Sequence, residues 1–146
     1  MTILAANVDS FARRFNGVAR ARLSADDLVP EMRIDIELPI DGATADLEAL
    51  LRHFEPFGVG NPSPVFASRN VSLIGAPKVI GTDGLKLRLA TSGGELDAIG
   101  WGMASFAPAL AAGGPVDIAW RLERDEYQGR SRLQAKLADI VPAGRR

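Results

Sequence analysis

Glu55-Pro56-Phe57-Gly58-Val59-Gly60-Asn61-Pro62-Ser63-Pro64-Val65-Phe66 stands between a helix-like segment and a long run of strand-like sequence. Each proline fixes its own φ and lacks an N–H, and glycine admits positive φ, so the stretch reads as a stiff, turn-rich connector. The residues before Pro56, Pro62 and Pro64 are also pushed out of the α region, which argues against a helix running through. Phe57 and Phe66 flank the turns and are placed to pin the connector to both sides.

Upstream, Asn7 is positioned to cap a helix reaching about Leu23, with Val8, Phe11, Phe15 and Val18 on one face. Arg13, Arg14, Arg20 and Arg22 fill much of the rest and read as a solvated face whose stems cover apolar surface. Ser24, Asp26 and Asp27 suggest a capped single turn. Met32 to Leu38 alternates cleanly and predicts a half-buried strand with Met32, Ile34, Ile36 and Leu38 on one side. Asp35 and Glu37 share its other side and read as solvent-facing. Asp41-Gly42 turns the chain, and Thr44 is placed to cap a helix presenting Leu47, Leu50, Leu51 and Phe54, which Pro56 stops. A helix, a strand and a helix of this size hold too little core to stand alone.

Downstream, five strand-like segments follow. Val65 to Ile74 alternates imperfectly through Val65, Ala67, Val71 and Leu73, and Gly75-Ala76-Pro77 breaks it. Lys78 to Ala90 forms a bent strand or hairpin turning at Thr82-Asp83-Gly84, with Leu85, Leu87 and Leu89 on one side and Lys86 and Arg88 on the other. Ser92-Gly93-Gly94 turns into a strand from Glu95 to Trp101. Met103 to Ala112 has helical spacing through Phe106 and Leu110, ended by Gly113-Gly114. Pro115 to Leu122 puts Val116, Ile118 and Trp120 on one face. A loop at 125–129 leads to a last strand from Arg132 to Val141. The expected fold is α+β but mainly β: a five-stranded Greek-key barrel of the OB type, with a helix between strands three and four. Closing the sheet would hide most of its edges.

The junction string resembles the Pro-Phe-Gly-x-Gly-Asn-Pro-x-Pro-x-Phe motif of the RecJ family through Pro56, Phe57, Gly58, Gly60, Asn61, Pro62, Pro64 and Phe66. That family comprises single-strand-specific DNA exonucleases of the DHH phosphoesterase superfamily, and it has an OB-like domain after this motif. The resemblance implies three parts: residues 1–54 as the tail of a DHH-associated domain with its connecting helix, 55–66 as the junction, and 67–146 as the OB domain. It further implies the C-terminal part of a 5′-to-3′ exonuclease of DNA repair and recombination, partnered by an upstream DHH nuclease core that uses Mg or Mn. One departure lies in the last hairpin. Relatives often carry Asn-x-Trp-x-Gly there; here the residues are Asp125, Glu126, Tyr127, Gln128 and Gly129, so Tyr127 stands where the tryptophan would be.

Composition limits the chemistry. Hydrophobic residues at 47% and charged residues at 24% are globular values, which argues against global disorder. No run is long enough to span a bilayer and no secretory signal is written, so the expected location is cytoplasmic, without membrane contact. With no cysteine and one histidine, His53, there is no disulfide framework, no thiolate metal site and no histidine cluster. No Asp-His-His, Gly-Gly-His, hydrolase triad or phosphate-binding loop is present, so catalytic residues and a resident metal are not expected in this chain.

Binding remains. Net charge is −1, but residues 1–60 carry six Lys/Arg against ten Asp/Glu, and residues 61–146 carry eleven against eight. The sign changes at the junction. OB folds hold single strands with a positive groove and aromatic faces. Candidate contacts for single-stranded DNA are Lys78, Lys86 and Arg88 on the second-strand region and Arg130, Arg132 and Lys136 near the last hairpin. Tyr127 is a candidate stacking platform; Trp101 reads equally as core or platform, whereas Trp120 reads as core. A solvated polar face is the plain alternative for the cations. A protein-interaction module docking on the nuclease core, or on a replication or repair protein, is the alternative for the whole.

Overall fold

The junction is tied by one side chain. In the computed structural model, which describes residues 2–127 and 129–144 (the side chains of Tyr127 and Arg130 excepted), Asn61 Nδ2 donates to the carbonyls of Phe54 at 2.8 Å and Pro56 at 3.0 Å. Gly58 and Asn61 exchange backbone hydrogen bonds of 2.8 and 3.1 Å. Gly60 makes the turn between them at φ +87°, where a side chain would be strained. Phe57 is half-buried and Phe66 is buried, so the chain enters and leaves the turn on aromatic anchors.

The chain divides into two units, Met1–Met32 and Arg33–Arg146. In the first, helix α1 (Val8–Arg22) follows directly on a 3₁₀ turn at Ala5–Asn7. Asn7 therefore has near-helical φ and ψ of −98° and −4°, and its side chain does not cap, contrary to expectation. A capping side chain needs the extended conformation that a continuing helix denies it. Phe11 and Phe15 stack with ring centroids 5.8 Å apart, and Phe15 is 61% exposed. The turn at Asp26–Leu28 is tied by Asp27, whose carboxylate accepts from the Ser24 N–H at 2.8 Å and its hydroxyl at 2.7 Å. These bonds hold the Asp27 carboxyl below its ordinary pKa.

In the second unit, strand β1 (Ile36–Glu37) leads through a 3₁₀ turn at Ile40–Gly42 to helix α2 (Ala45–Leu51). Thr44 caps α2 by accepting from Leu47 N at 3.2 Å. Then come β2 (Phe66–Val71), β3 (Lys78–Ile80), β4 (Gly84–Thr91), β5 (Gly94–Gly100), the short helix α3 (Ala107–Ala111), β6 (Val116–Tyr127) and β7 (Arg130–Pro142). They form one sheet in the order β1-β2-β6-β7-β5-β4-β3. Only β1–β2 and β5–β7 pair in parallel. The fold is mainly β and OB-like, with the helix after the third long strand as expected. Seven strands replace five because β1 and β3, two and three residues long, add to the edges. The edges are not joined strand to strand. A single bridge, Leu73 to Leu89, links the segment after β2 to β4, with Ala90 N on Ser72 O at 2.9 Å and Ile74 N on Arg88 O at 2.8 Å.

Three local expectations change. The strand expected over 32–38 shrinks to Ile36–Glu37, and Met32, Ile34 and Ile36 stay exposed. Within the sheet β1 pairs with β2 alone, which leaves that row without a second neighbouring strand, while Leu38 and Ile40 reach the core. Along β2 the buried residues are Phe66, Ser68 and Val71 rather than an alternation through Ala67. Asn70 sits at φ +53° with its N–H on Asp117 Oδ1 at 2.9 Å, and this bulge returns Val71 to the interior. The loop expected over 125–129 is mostly strand, because Asp125 lies opposite Arg132 and the ladder runs to the Tyr127–Arg130 pair. Gln128 lies outside the described residues.

The core is the inward face of the long strands. Leu85, Leu87 and Leu89 meet Leu96 and Ala98, then Ala135, Leu137, Ile140, Val116, Ile118 and Leu122. Trp120 is fully buried at its centre, 5.1 Å from the Phe66 ring. Its Nε1 donates to Ser68 Oγ at 2.8 Å, and that hydroxyl donates in turn to Leu38 O at 2.5 Å. Leu38, Leu47 and Leu51 pack against the same core, so the β1–α2 segment belongs to this unit's interior.

Candidate nucleic-acid interface

Alternation decides which side chains leave the core. With Leu85 and Leu87 buried on β4, Ala98 on β5, Ala135 and Leu137 on β7 and Leu122 on β6, the residues between them must point outward. The register then aligns them. Lys78 lies opposite Lys86, Lys86 opposite Ile99, Ile99 opposite Lys136, and Lys136 opposite Arg121. Four cations and one isoleucine thus form a single row crossing β3, β4, β5, β7 and β6, about 19 Å long at about 4.8 Å per strand. The adjacent row reads Arg88, Asp97, Gln134, Glu123.

Carboxylates engage two cations of the row, Lys86 and Lys136, and also Arg88 in the adjacent row. Lys86 Nζ lies 2.9 Å from Asp97 Oδ2, Lys136 Nζ 3.0 Å from Glu123 Oε1, and Arg88 Nη1 3.0 Å from Glu95 Oε2. Lys78 and Arg121 make no ion pair among the described residues; Arg121 Nε donates to Ser63 O at 3.4 Å.

Trp101, just past β5, is 58% exposed. A Cβ on Gly84 would come within 3.0 Å of its Cζ3, so the indole edge rests where Gly84 has no side chain. Trp101 is therefore a surface aromatic beside the cation row, and Trp120 is core. Arg132 is exposed but stands four residues along β7 from Lys136, roughly 13 Å away at strand rise, and lines a shallow depression with Glu95 and Asp97. Lys78, Lys86 and Lys136 share the row, Arg88 adjoins it, and Arg132 does not join it. The side chains of Tyr127 and Arg130 lie outside the described residues.

Arg121 was missed by sequence reasoning, although its place between the buried Trp120 and Leu122, on the opposite parity, would have found it. A second missed feature is Glu48. Its Oε2 receives Arg124 Nη2 at 2.8 Å and its Oε1 receives Arg52 Nη2 at 2.7 Å, fastening α2 to β6. The Arg124 hydrogen bond, against the cost of burial, holds the Glu48 carboxyl down at about 2, and the same bond raises Arg124.

Among the described residues no three of His, Asp or Glu converge as a metal seat, and no helix is long and apolar enough to cross a membrane.

A mainly β sheet with its helix after the third long strand, an outward cation row and a surface indole defines an OB-like domain. Residues 34–139 match the family model of the RecJ OB domain, and the chain belongs to that family. It is 24% identical over 146 residues, 97% of its length, to the single-stranded-DNA-specific exonuclease RecJ of Bacillus subtilis (strain 168), of which it spans 18%. RecJ from Thermus thermophilus has a similar fold: its complex with Mg2+ superimposes with a TM-score of 0.70 at 23% identity, covering 98% of this chain and 22% of that one. Its complex with Mn2+ gives the same TM-score and identity over 99% and 20%. The chain spans about a fifth of the length of the relatives it matches.

Proposed function

We propose that this chain is the single-strand-gripping, OB-containing part of a RecJ-like 5′-to-3′ DNA exonuclease of repair and recombination. The observation that carries the reading is the Lys78-Lys86-Ile99-Lys136-Arg121 row with the exposed Trp101 beside it. Ammonium and guanidinium groups attract phosphates, and an indole face stacks on any base, so the surface suits a strand without regard to sequence. Arg88 adjoins the row; Tyr127, Arg130 and Arg132 extend the reading toward the last hairpin.

In this reading the chain binds DNA and does not cut it. Hydrolysis falls to a DHH nuclease core elsewhere in the protein, which would hold Mg or Mn, and the whole would act in the cytoplasm. The junction motif, from Pro56 through Phe57, Gly58, Gly60, Asn61, Pro62 and Pro64 to Phe66, would fix the approach to the OB-like sheet. Fluorescence anisotropy of a labelled single-stranded oligonucleotide at two salt concentrations tests the reading. Binding that weakens steeply with salt, and that is lost with Lys86→Glu and Arg88→Glu together, supports it. No binding at low salt overturns it.

A second reading has one observation behind it. Phe11, Phe15 and Val18 expose an apolar face on α1, which suits docking on the nuclease core or on a replication or repair protein. That reading takes over if the oligonucleotide does not bind.

A further inference from the structure

We propose that Asp97 and Glu123 are built-in competitors for the phosphates of the strand and set the affinity of the cation row; the inference rests on the single-strand reading above. Lys86 and Lys136 are the inner cations of the row, flanking Ile99, and each is already held by a carboxylate at 2.9 and 3.0 Å. A carboxylate at that distance occupies the ammonium much as a phosphate oxygen would. Lys78 and Arg121, at the two ends, have no such partner among the described residues. A phosphate chain laid along the row therefore meets cations without a carboxylate partner at its ends, and at each inner position it must share the ammonium with a carboxylate or displace it.

The displacement is an exchange of partners and yields less than a fresh contact. It leaves Asp97 and Glu123 facing the strand as repelling charges. The row therefore grips loosely, as suits a surface that must let a strand slide past, and its salt dependence is shallower than the cation count implies.

Neutralisation tests this. Against the full chain, with a labelled oligothymidylate as probe, Asp97→Asn and Glu123→Gln together should bind on the order of tenfold tighter. The slope of log affinity against log salt should steepen by roughly 0.7 for each cation released. In a Lys86→Gln background, Asp97→Asn should tighten binding less than it does in the parent, because repulsion is relieved but no cation is released. Tightening of equal size in both backgrounds would mark a general charge effect and overturn the inference. Parent and variants binding alike would also overturn it while leaving the single-strand reading in place. Absence of binding by all of them at low salt would overturn both. Binding by the neutralised variants alone would support the competition and overturn the strand-gripping role of the native surface.

Discussion

Glu48 and Arg124, on α2 and β6, meet at 2.8 Å, and the second oxygen of Glu48 is held by Arg52 at 2.7 Å. The link crosses from the connecting helix to the longest hairpin, so it fixes where the junction begins relative to the sheet. Arg124 Nε already lacks a hydrogen-bond partner among the described residues, and removing the carboxylate also strips Nη2, leaving the half-covered guanidinium with Ser131 Oγ on Nη1. Glu48→Gln should lower the melting temperature by several degrees, and a double-mutant cycle with Arg124→Met should show the two changes to be non-additive.

The same pair makes stability depend on acid. The folded carboxyl titrates at about 2 and the ordinary value is 4.5, so the folded state binds fewer protons between those values. The contribution of Glu48 is complete above pH 4.5 and is lost as pH falls from there toward 2. Urea midpoints measured from about pH 6 to about pH 2.5 should fall in the parent and fall less in Glu48→Gln.

Ser68 is a relay inside the core, accepting from Trp120 Nε1 and donating to Leu38 O. Ser68→Ala fits the space and leaves both groups unpaired. The expected cost is about 1–3 kcal/mol by chemical denaturation. Trp120→Phe in the same background should recover part of it, since the orphaned indole N–H is then absent.

Gly84 is confined from three directions. A Cβ there would stand 2.8 Å from the Ile80 carbonyl oxygen, 2.8 Å from Ile80 Cγ1 and 3.0 Å from Trp101 Cζ3. Gly84→Ala should cost about 1–3 kcal/mol by overpacking the β3–β4 hairpin. With Trp120 replaced by Phe, the fluorescence of Trp101 should shift to the red and become more open to acrylamide.

Asn61 donates two hydrogen bonds that hold the junction. Asn61→Ala should cost about 1 kcal/mol, as exposed hydrogen bonds do. Asn61→Asp should cost more, because it sets a carboxylate against two carbonyl oxygens. Proteolysis within residues 55–66 should quicken in the same order.

The sheet was legible where one face is buried and the other wet. Leu85, Leu87 and Leu89 alternate with Lys86 and Arg88, and that pattern alone orients β4. Trp120 could be assigned to the core from its parity with Val116 and Ile118. Bulges were not legible, since the conformation of Asn70 depends on a hydrogen bond to Asp117, which is 47 residues away. The strand over 32–38 failed for a related reason: alternation promises burial only where a neighbour exists to cover the row. Of the surface, the individual cations could be named, but their alignment could not. A row needs four strand registers, and the pairing of Glu48 with Arg124 spans 76 residues.

The parallel pairing of β5 with β7 has a consequence for how the protein comes to exist. Within the ladder, β5-β4-β3 joins β1-β2-β6 only through β7; beyond that, the Leu73 bridge is the tie. Strand β7 is thus a keystone, and it is the last strand of the sheet to leave the ribosome. Until residues 134–136 emerge, the two halves of the sheet are ribbons with open edges that share the short Leu73–Leu89 tie, and high contact order makes their full joining slow. Folding of this unit is therefore expected to complete only when its own translation does, with the final hairpin locking both ribbons in a single step.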